Sequence, residues 1–378
     1  MKFSPFAWHK IQRVGRDIMA NLFDYLLWRG DLTFSADEFN EVDGVILSVL
    51  SYIDMGAIMG EKNRLYHMMR EYLPDRKYDS RKMGLVIPSK NINRLFCLSA
   101  STRRFSSVKV TDYEAYTSIE DMCQFAAVTF HLTNGESVIA FRGTDDTLIG
   151  WREDCALSYL DEIPAQRRAL LYLERMTKAY PDRKFYVVGH SKGGNLAAYS
   201  FAAASDAVKA RVERVYCYDG PGLRPVLAKK MRESEYKDRF VFILPQSAFV
   251  GTMFDKCNDY TVVKSISRGS TQHDTFGWDV KGKAFVKMPS LSAVGKRNEE
   301  QFRQSIRDMT EDEKKEVVDT LFAVINSTGA TNLSELAEGK LKAVTTLMKN
   351  YGSMEKRKKE LVLGFVTRLF DFRGQGEA

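Results

Sequence analysis

The amino-acid sequence predicts an α/β fold built on a mostly parallel central sheet, with helical extensions at both ends. Apolar, strand-like runs alternate with helical stretches between about residues 123 and 245, which is typical of parallel strands covered by helices on both faces. An Asn-Gly turn joins two of these runs. In addition, a serine between glycines stands where an apolar run gives way to a helix of small residues.

The elements of the predicted core follow one another in a regular order. The runs CQFAAVTFHL and ESVIAFRG are joined by Thr133, Asn134 and Gly135 and predict a hairpin. A helix over about 165–180, which Pro181 ends, and the strand KFYVVG follow. After them come a helix over about 192–204 and the strands RVERVYCYD and RFVFIL.

Helical segments flank this core. The stretch NEVDGVILSVLSYIDM, which begins at Asn40, suits a buried helix, and we expect no chemistry there. Strand signals stop after about Met288, and Thr310 and Glu313 have the spacing of a capping box. We therefore divide the chain into a mainly helical region over 1–95 that packs on the core, the core over 96–290, and a helical region over 291–378.

Composition narrows the classes of function. The net charge is +7, and 56 basic and 49 acidic residues are interleaved, which gives nucleic-acid binding little support. Five cysteines without a CxxC pair indicate neither a disulfide framework nor a zinc site, and no motif indicates an organic cofactor. Neither a signal-like segment nor a run of roughly 20 apolar residues occurs, so we expect a cytoplasmic protein. A peripheral membrane contact through the C-terminal helices, which include the basic cluster 356–359, stays open.

Ser191 is the candidate nucleophile. Residues 189–193, GHSKG, match the pattern G-x-S-x-G, in which a strained strand-to-helix turn projects the serine hydroxyl above the carboxyl end of a sheet. The strand before the motif and the helix after it are the setting that the motif requires. The predicted fold is therefore an α/β-hydrolase fold, and an ordinary serine in a strand-turn-helix connection is the alternative.

His273 is the candidate general base. A serine hydroxyl is a poor nucleophile near neutral pH and needs a base within hydrogen-bonding distance. In this fold the base follows the serine in the chain, and of the five histidines only His273, in the polar loop SRGSTQHDTFGW, does so. The side chain of His190 is expected to point away from Ser191, and His131 is expected to be structural.

Asp219 is the first choice for the acid that orients this histidine. It directly follows the strand RVYCY, and so its carboxylate is expected at the same sheet edge as Ser191. The alternative is an aspartate that forms the turn DGPG by bonding its own backbone. Asp259 and Asp274 are the reserves.

Two backbone donors are needed to bind the oxyanion that forms during acyl transfer. The N–H of Lys192, the residue after the nucleophile, is the first. In VIAFRGTDD, Gly143 frees the backbone so that Thr144 can offer its N–H and its hydroxyl. An ordinary turn at the end of a strand is the alternative.

Two of these motifs resemble those of the class 3 lipases. VIAFRGT, followed by Trp151 and Asp154, and then VVGHSKGG stand in the order and separation that the family shows. The resemblance extends over about residues 123–219. It implies an α/β-hydrolase that cleaves acyl or lipid-type esters through an acyl-enzyme, with Trp151 and Asp154 supporting the oxyanion loop.

The roles that the resemblance implies are a nucleophile at Ser191 and oxyanion donors at Thr144 and Lys192. Class 3 lipases usually carry the acid after the next strand, where this chain reads ILPQSAFVG. The earlier position of Asp219 is similar to that of the aspartate in pancreatic-type lipases. Lys192 replaces the usual leucine, which suggests polar or anionic acyl substrates.

The whole chain also looks like a bacterial group of lipase-like hydrolases of undefined physiological function. Thioesterase or acyltransferase activity uses the same groups and stays open. A noncatalytic protein that uses the hydrolase fold for binding or scaffolding is the alternative from another class.

Overall fold

The structure is a computed structural model and describes residues 19–72, 88–307, 309–332 and 335. Eight strands form one sheet in the order β1-β2-β3-β4-β5-β6-β7-β10. Their bounds are β1 Lys109–Ser118, β2 Cys123–His131, β3 Ser137–Phe141, β4 Phe185–His190, β5 Val212–Tyr218, β6 Phe240–Pro245, β7 Tyr260–Val263 and β10 Lys287–Met288. The short strands β8 Val280–Lys281 and β9 Ala284–Phe285 form a separate hairpin.

The five central strands β3 to β7 run parallel, and the strands at the two edges are antiparallel. Parallel strands need crossover connections, and helices supply several of them here. The helices are α1 Leu22–Arg29, α2 Glu41–Leu50, α3 Leu65–Tyr72, α4 Ser89–Ala100, α5 Leu148–Ala156, α6 Pro164–Ala179, α7 Lys192–Ala203, α8 Asp206–Lys209, α9 Pro225–Arg232, α10 Ala293–Arg307 and α11 Glu311–Asn326. This mostly parallel sheet with flanking helices is the α/β-hydrolase fold that the sequence predicts.

Both faces of the sheet are covered by apolar layers. Successive residues of a strand point to opposite faces, so that Val187 of β4 joins one layer and Val188 the other. The Val188 layer includes the apolar residues of α1, α2 and α4, whereas the Val187 layer includes those of α6 and α7. The helices that precede the sheet in the chain therefore share its core.

A buried ion pair ties the N-terminal helices together. Asp43 of α2 and Arg104 have fully buried side chains, and Arg104 Nε donates to Asp43 Oδ1 at 2.8 Å. The hydroxyl of Tyr25 donates to the same oxygen at 2.7 Å, and the Arg104 guanidinium also donates to backbone carbonyls of the 32–38 segment. This network joins α1 and α2 to the segment between α4 and β1, which contains Arg104. The division of the chain near residues 95 and 290 stays a prediction.

The predicted elements from 123 to 245 are confirmed. The hairpin of β2 and β3 turns at Gly135, whose φ of +93° is readily adopted only by glycine. The sequence analysis missed β1, β7 and the short strands after them, since these have polar or very short apolar patterns. The capping box of Thr310 and Glu313 begins α11 as expected.

Predictions for the chain ends are covered only in part. No helix in the described ranges is both long and apolar enough to cross a membrane. The basic cluster 356–359 and the C-terminal helix proposed for membrane contact lie outside the described residues. The five cysteines are free thiols in the structure, and Cys123, Cys217 and Cys257 are buried.

Candidate active site

Ser191 lies in a strained turn between β4 and α7. Its φ of 59° and ψ of −133° are unusual for a residue with a side chain, and such strain costs on the order of 1–3 kcal/mol. Its backbone N–H donates to the carbonyl of Tyr218, at the end of the neighbouring strand β5, at 3.0 Å. The turn therefore holds the serine at the carboxyl edge of the sheet.

Glycines make this turn sterically feasible. A Cβ at Gly189 would lie 2.0 Å from the carbonyl oxygen of Gly193, and one at Gly193 would lie 2.2 Å from that of Phe141. Real carbon atoms do not approach an oxygen so closely, so neither position accepts a side chain without a backbone shift. The glycine spacing in the sequence thus reflects the close packing of α7 on β3 and β4.

Asp219 and His273 form a hydrogen-bonded pair at the same edge. His273 Nδ1 donates to Asp219 Oδ2 at 2.6 Å, and the backbone N–H of Gly251 donates to Asp219 Oδ1 at 2.9 Å. Both side chains are buried, Asp219 almost completely. Since Nδ1 carries the proton that Asp219 accepts, Nε2 of the neutral ring is left as a proton acceptor.

The two reserve aspartates do not compete for this role. Asp274 instead accepts the backbone N–H of Phe276 at 3.0 Å and begins a short 3-10 turn. Burial raises the pKa of Asp274 to about 6. Asp259 directly precedes β7, and its side chain has no recorded bond to His273 in the described ranges. Of these three aspartates, Asp219 is the one that hydrogen-bonds the ring of the predicted base in the described residues.

The serine elbow and the His273 loop are in direct contact through His190. The rings of His190 and His273 lie 4.5 Å apart between centroids, and His190 Nε2 donates to the backbone carbonyl of His273 at 2.9 Å. Within the described ranges no hydrogen bond joins the Ser191 hydroxyl to the His273 ring. Catalytic hydrogen bonds are often long in proteins without bound substrate, so the final approach of these two groups belongs to the proposal below.

The candidate oxyanion loop follows β3. The hydroxyl of Thr144 donates to Asp154 Oδ2, and burial raises the pKa of that carboxyl to about 6. The Thr144 hydroxyl is therefore committed to Asp154, and the backbone N–H of Thr144 is the remaining candidate donor. Lys192 is the first residue of α7, where a backbone N–H has no partner within the helix.

The side chain of Lys192 is not available to substrate. Its Nζ donates to Gln124 O at 2.8 Å and to Glu153 Oε2 at 3.0 Å, and the side chain is only 1% exposed. Burial acts to lower the pKa of Lys192, but Glu153 and Asp154 outweigh it and raise this pKa. The expectation that the charge selects polar or anionic acyl groups is wrong, because buried carboxylates already neutralise it.

Three residues of the site had no signal in the sequence analysis. Tyr52 follows α2 in a region where we expected no chemistry, yet its hydroxyl lies 3.3 Å from His190 Nδ1. Glu153 and Gln124 surround the Lys192 ammonium from α5 and β2. Only the burial of Lys192, which the sequence does not reveal, calls for an acidic partner such as Glu153.

The eight-stranded sheet and the strand-serine-helix elbow define an α/β-hydrolase fold. The sequence profile of the Mbeg1-like family matches residues 99–323. The chain belongs to this family.

Several solved structures, lipases among them, are similar to the chain at low identity. A mutant form of MDLA from Penicillium cyclopium is 14% identical, with 67% of this chain and 87% of that chain covered and a TM-score of 0.38. A fungal lipase is 11% identical, with 68% and 90% covered and a TM-score of 0.37. Lip2 lipase from Yarrowia lipolytica is 12% identical, with 62% and 82% covered and a TM-score of 0.36. No curated protein sequence matches the chain.

Proposed function

We propose that this protein is a serine hydrolase that cleaves a carboxylic ester of the acyl or lipid type through an acyl-enzyme. Ser191 is the nucleophile, His273 the general base and Asp219 the acid that orients it. The backbone N–H groups of Thr144 and Lys192 bind the oxyanion.

One observation supports this proposal above the others. The hydrogen bond of 2.6 Å between Asp219 and His273 lies beside an elbow whose serine is held at a φ of 59°. Neither feature is needed for a folded sheet, and the strain at Ser191 has a cost. Their combination at one sheet edge is what activation of a serine requires.

In the first half of the reaction the Ser191 oxygen attacks the ester carbonyl carbon while His273 Nε2 takes the hydroxyl proton. The carbonyl π electrons move to the oxygen, which the two N–H donors stabilise. When the tetrahedral intermediate collapses, the bond to the alcohol breaks. His273 gives its proton to the departing alkoxide, and the acyl group stays on Ser191.

In the second half a water molecule attacks the acyl-serine carbon, and His273 takes a proton from it. Collapse of the second intermediate breaks the bond to Ser191 Oγ, which recovers the proton from His273, and the carboxylic acid leaves. Asp219 stays ionised throughout and stabilises the imidazolium that forms in each half.

Thioesters and amides can react by the same steps, and an alcohol in place of water would make the protein an acyltransferase. Product analysis with an added alcohol acceptor separates transfer from hydrolysis. The noncatalytic alternative is supported by the absence of an aspartate directly after β6, where class 3 lipases usually carry the acid. That support is weakened, because Asp219 at the end of β5 already binds the predicted base.

Labelling with a fluorophosphonate tests the proposal. We expect one covalent adduct per chain on the peptide that contains Ser191, and turnover of a p-nitrophenyl ester. Ser191→Ala is expected to abolish both. Ser200→Ala is the matched control, because Ser200 is a buried residue of α7, the helix that follows Ser191, and its hydroxyl donates to the backbone carbonyl of Ala197. Labelling that survives in Ser191→Ala, or an inert wild-type protein, would overturn the proposal.

A further inference from the structure

Tyr52 and His190 form a buried pair that no step of the proposed reaction uses. Tyr52 follows α2 and is 4% exposed, whereas His190 ends β4 and is 1% exposed. The Tyr52 oxygen lies 3.3 Å from His190 Nδ1, although the two residues are 138 positions apart in the chain. The second ring nitrogen, Nε2, lies 2.9 Å from the backbone carbonyl oxygen of His273.

The hydrogen-bond directions in this pair follow from the partners. A carbonyl oxygen only accepts, so the proton of His190 must be on Nε2 and must point at His273. The other nitrogen, Nδ1, is then an acceptor, and the Tyr52 hydroxyl is the donor to it. In this arrangement both ring nitrogens of His190 and the hydroxyl of Tyr52 take part in a hydrogen bond.

The same pair touches the oxyanion loop. A Cβ at Gly143 would lie 2.0 Å from the Tyr52 oxygen and 2.7 Å from the carbonyl oxygen of His190. The backbone of Gly143 therefore runs directly against both residues and leaves no room for a side chain. Thr144, the predicted oxyanion donor, is the next residue in the chain.

Burial keeps the pair uncharged. It lowers the pKa of His190 well below the ordinary histidine value, and the nearby ring of His273 acts in the same direction. Burial likewise raises the pKa of Tyr52, against which the backbone of Gly143 and the charge of Arg142 act. A neutral pair can fix positions without competing with Asp219 for the charge that develops on His273.

We propose that Tyr52 and His190 are positioning residues that join three parts of the active site. They hold the backbone of His273, the serine elbow and the Gly143 turn in one hydrogen-bonded unit. The inference rests on the proposed function, since it assigns a role relative to the nucleophile and base proposed above. It also makes the N-terminal helical region part of the catalytic unit.

The expected consequence of breaking this unit is a loss of rate. The pair touches the backbone of His273 and the oxyanion loop but no reacting atom, so its removal shifts catalytic groups by fractions of an ångström. A misplacement of about 1 Å can lower a rate by about 100-fold. We therefore expect acylation to slow by about 10- to 100-fold while KM changes by less than about twofold.

Three variants and two controls test the proposal against a role in packing alone. Tyr52→Phe removes only the hydroxyl, His190→Leu removes the ring's donor and acceptor at similar volume, and His190→Gln restores an N–H donor. Tyr172→Phe and His131→Leu are the matched controls. Tyr172 and His131 are also buried and hydrogen-bonded, to Asp112 O and to Ser137 and Thr111 respectively, away from the serine elbow.

The readouts are the rate of fluorophosphonate labelling, kcat and KM for a p-nitrophenyl ester, and the thermal midpoint of each variant. We expect Tyr52→Phe and His190→Leu to slow labelling and kcat, His190→Gln to recover at least a third of the loss on a logarithmic scale, and both controls to lose stability but not rate. Equal rates in His190→Leu and His190→Gln, or wild-type labelling in Tyr52→Phe, would overturn the inference.

A measurement that needs no activity separates this inference from the proposed function. The ¹⁵N spectrum of the histidine rings at pH 7 reports which nitrogen carries the proton. We expect His190 to be neutral with its proton on Nε2, and Tyr52→Phe to shift the Nδ1 resonance. A proton on Nδ1 would refute the arrangement even if the wild-type protein labels, whereas an inert wild type with the expected spectrum would refute only the hydrolase proposal.

Discussion

The two residues that flank Ser191 lie in opposite kinds of buried surroundings. His190 joins an uncharged set of hydrogen bonds with Tyr52 and the His273 backbone. Lys192 joins a charged set, in which Glu153 and Gln124 surround its ammonium. The two neighbours of the nucleophile therefore point into different surroundings, His190 into the uncharged set and Lys192 into the charged set.

The comparison teaches that burial has different consequences for neutral and charged groups. Removing one partner of a buried hydrogen bond between neutral groups costs about 1–3 kcal/mol. On the His190 side these hydrogen bonds also hold the backbone of His273. Removing one member of a buried ion pair leaves a charge without compensation, which costs about 3–5 kcal/mol. Substitutions in the set around His190 are therefore expected to lower the rate, whereas substitutions in the set around Lys192 are expected to lower the stability of the fold.

The largest expected loss of rate is that of Asp219→Asn, which alters the hydrogen bond to His273 and leaves the charged set around Lys192 unchanged. The amide keeps an acceptor for Gly251 N–H but turns a donor toward His273 Nδ1, so that the ring proton moves to Nε2 and faces Ser191. We expect kcat to fall by about 10³- to 10⁴-fold with little change in the midpoint of urea unfolding. Ester turnover and urea titration measure the two quantities. A fall of less than tenfold would mean that Asp219 does not orient the base.

Glu153→Ala tests the charged set around Lys192 through its effect on stability. It leaves the Lys192 ammonium buried, and also leaves the N–H groups of Gln124 and Ala165 without their acceptor. We expect a loss of about 3–5 kcal/mol in the free energy of unfolding, measured with urea.

Two further variants sharpen the Glu153 result. Adding Lys192→Met to Glu153→Gln removes both charges, and this double variant is expected to be more stable than Glu153→Ala. Arg303→Ala breaks an exposed pair with Glu299 and is expected to cost less than about 1 kcal/mol. If Glu153→Ala cost no more than that control, the contrast between the two sides of Ser191 would be lost.

Asp154 allows a pH test of the charged side. Its folded pKa of about 6 lies above the ordinary aspartate value of 3.8, because burial outweighs the opposing effects of Lys192 and the Thr144 hydroxyl. The folded protein therefore binds more protons than the unfolded chain between about pH 4 and 6, and its free energy of unfolding falls as the pH rises through this window.

Asp154→Asn removes this titration. We expect the stability of the variant relative to wild type to rise by about 2 kcal/mol between pH 4 and pH 7, as measured by urea unfolding at each pH. Asp319→Asn is the control: ion pairs with Lys315 and Arg152 lower the pKa of Asp319, so its titration lies mostly below pH 4 and the variant is expected to show little change relative to wild type between pH 4 and pH 7. A flat difference for Asp154→Asn would show that this carboxyl titrates alike in both states.

Local sequence patterns were enough to predict one half of the site. The hairpin turn at Gly135 and the glycines around Ser191 follow from steric rules that act within a few residues. His273 could be chosen because chain order in this fold leaves a single histidine after the serine. Asp219 was preferred because it ends a strand that neighbours the elbow, and its contact with His273 agrees with that preference.

The other half depends on contacts between distant residues. Nothing near Tyr52 in the sequence distinguishes it from a core tyrosine, and its role follows only from the packing of α2 against β4. The direction of the Lys192 side chain was likewise undetermined, because a lysine beside a nucleophile can face substrate or the interior. Glu153, 39 positions earlier, decides between them.

The smallest expected effect concerns Ser191 itself, the residue between the two sets. Glycine adopts a φ of 59° without steric strain, so Ser191→Gly relieves strain that Ser191→Ala retains. Glycine also gains more freedom in the unfolded chain, which offsets part of the relief. We expect Ser191→Gly to be about 1 kcal/mol more stable than Ser191→Ala in urea unfolding, with neither variant labelled by fluorophosphonate. If Ser191→Ala were the more stable of the two, the turn would not be strained, and the fixed position of the serine would have to come from His190 and Lys192 alone.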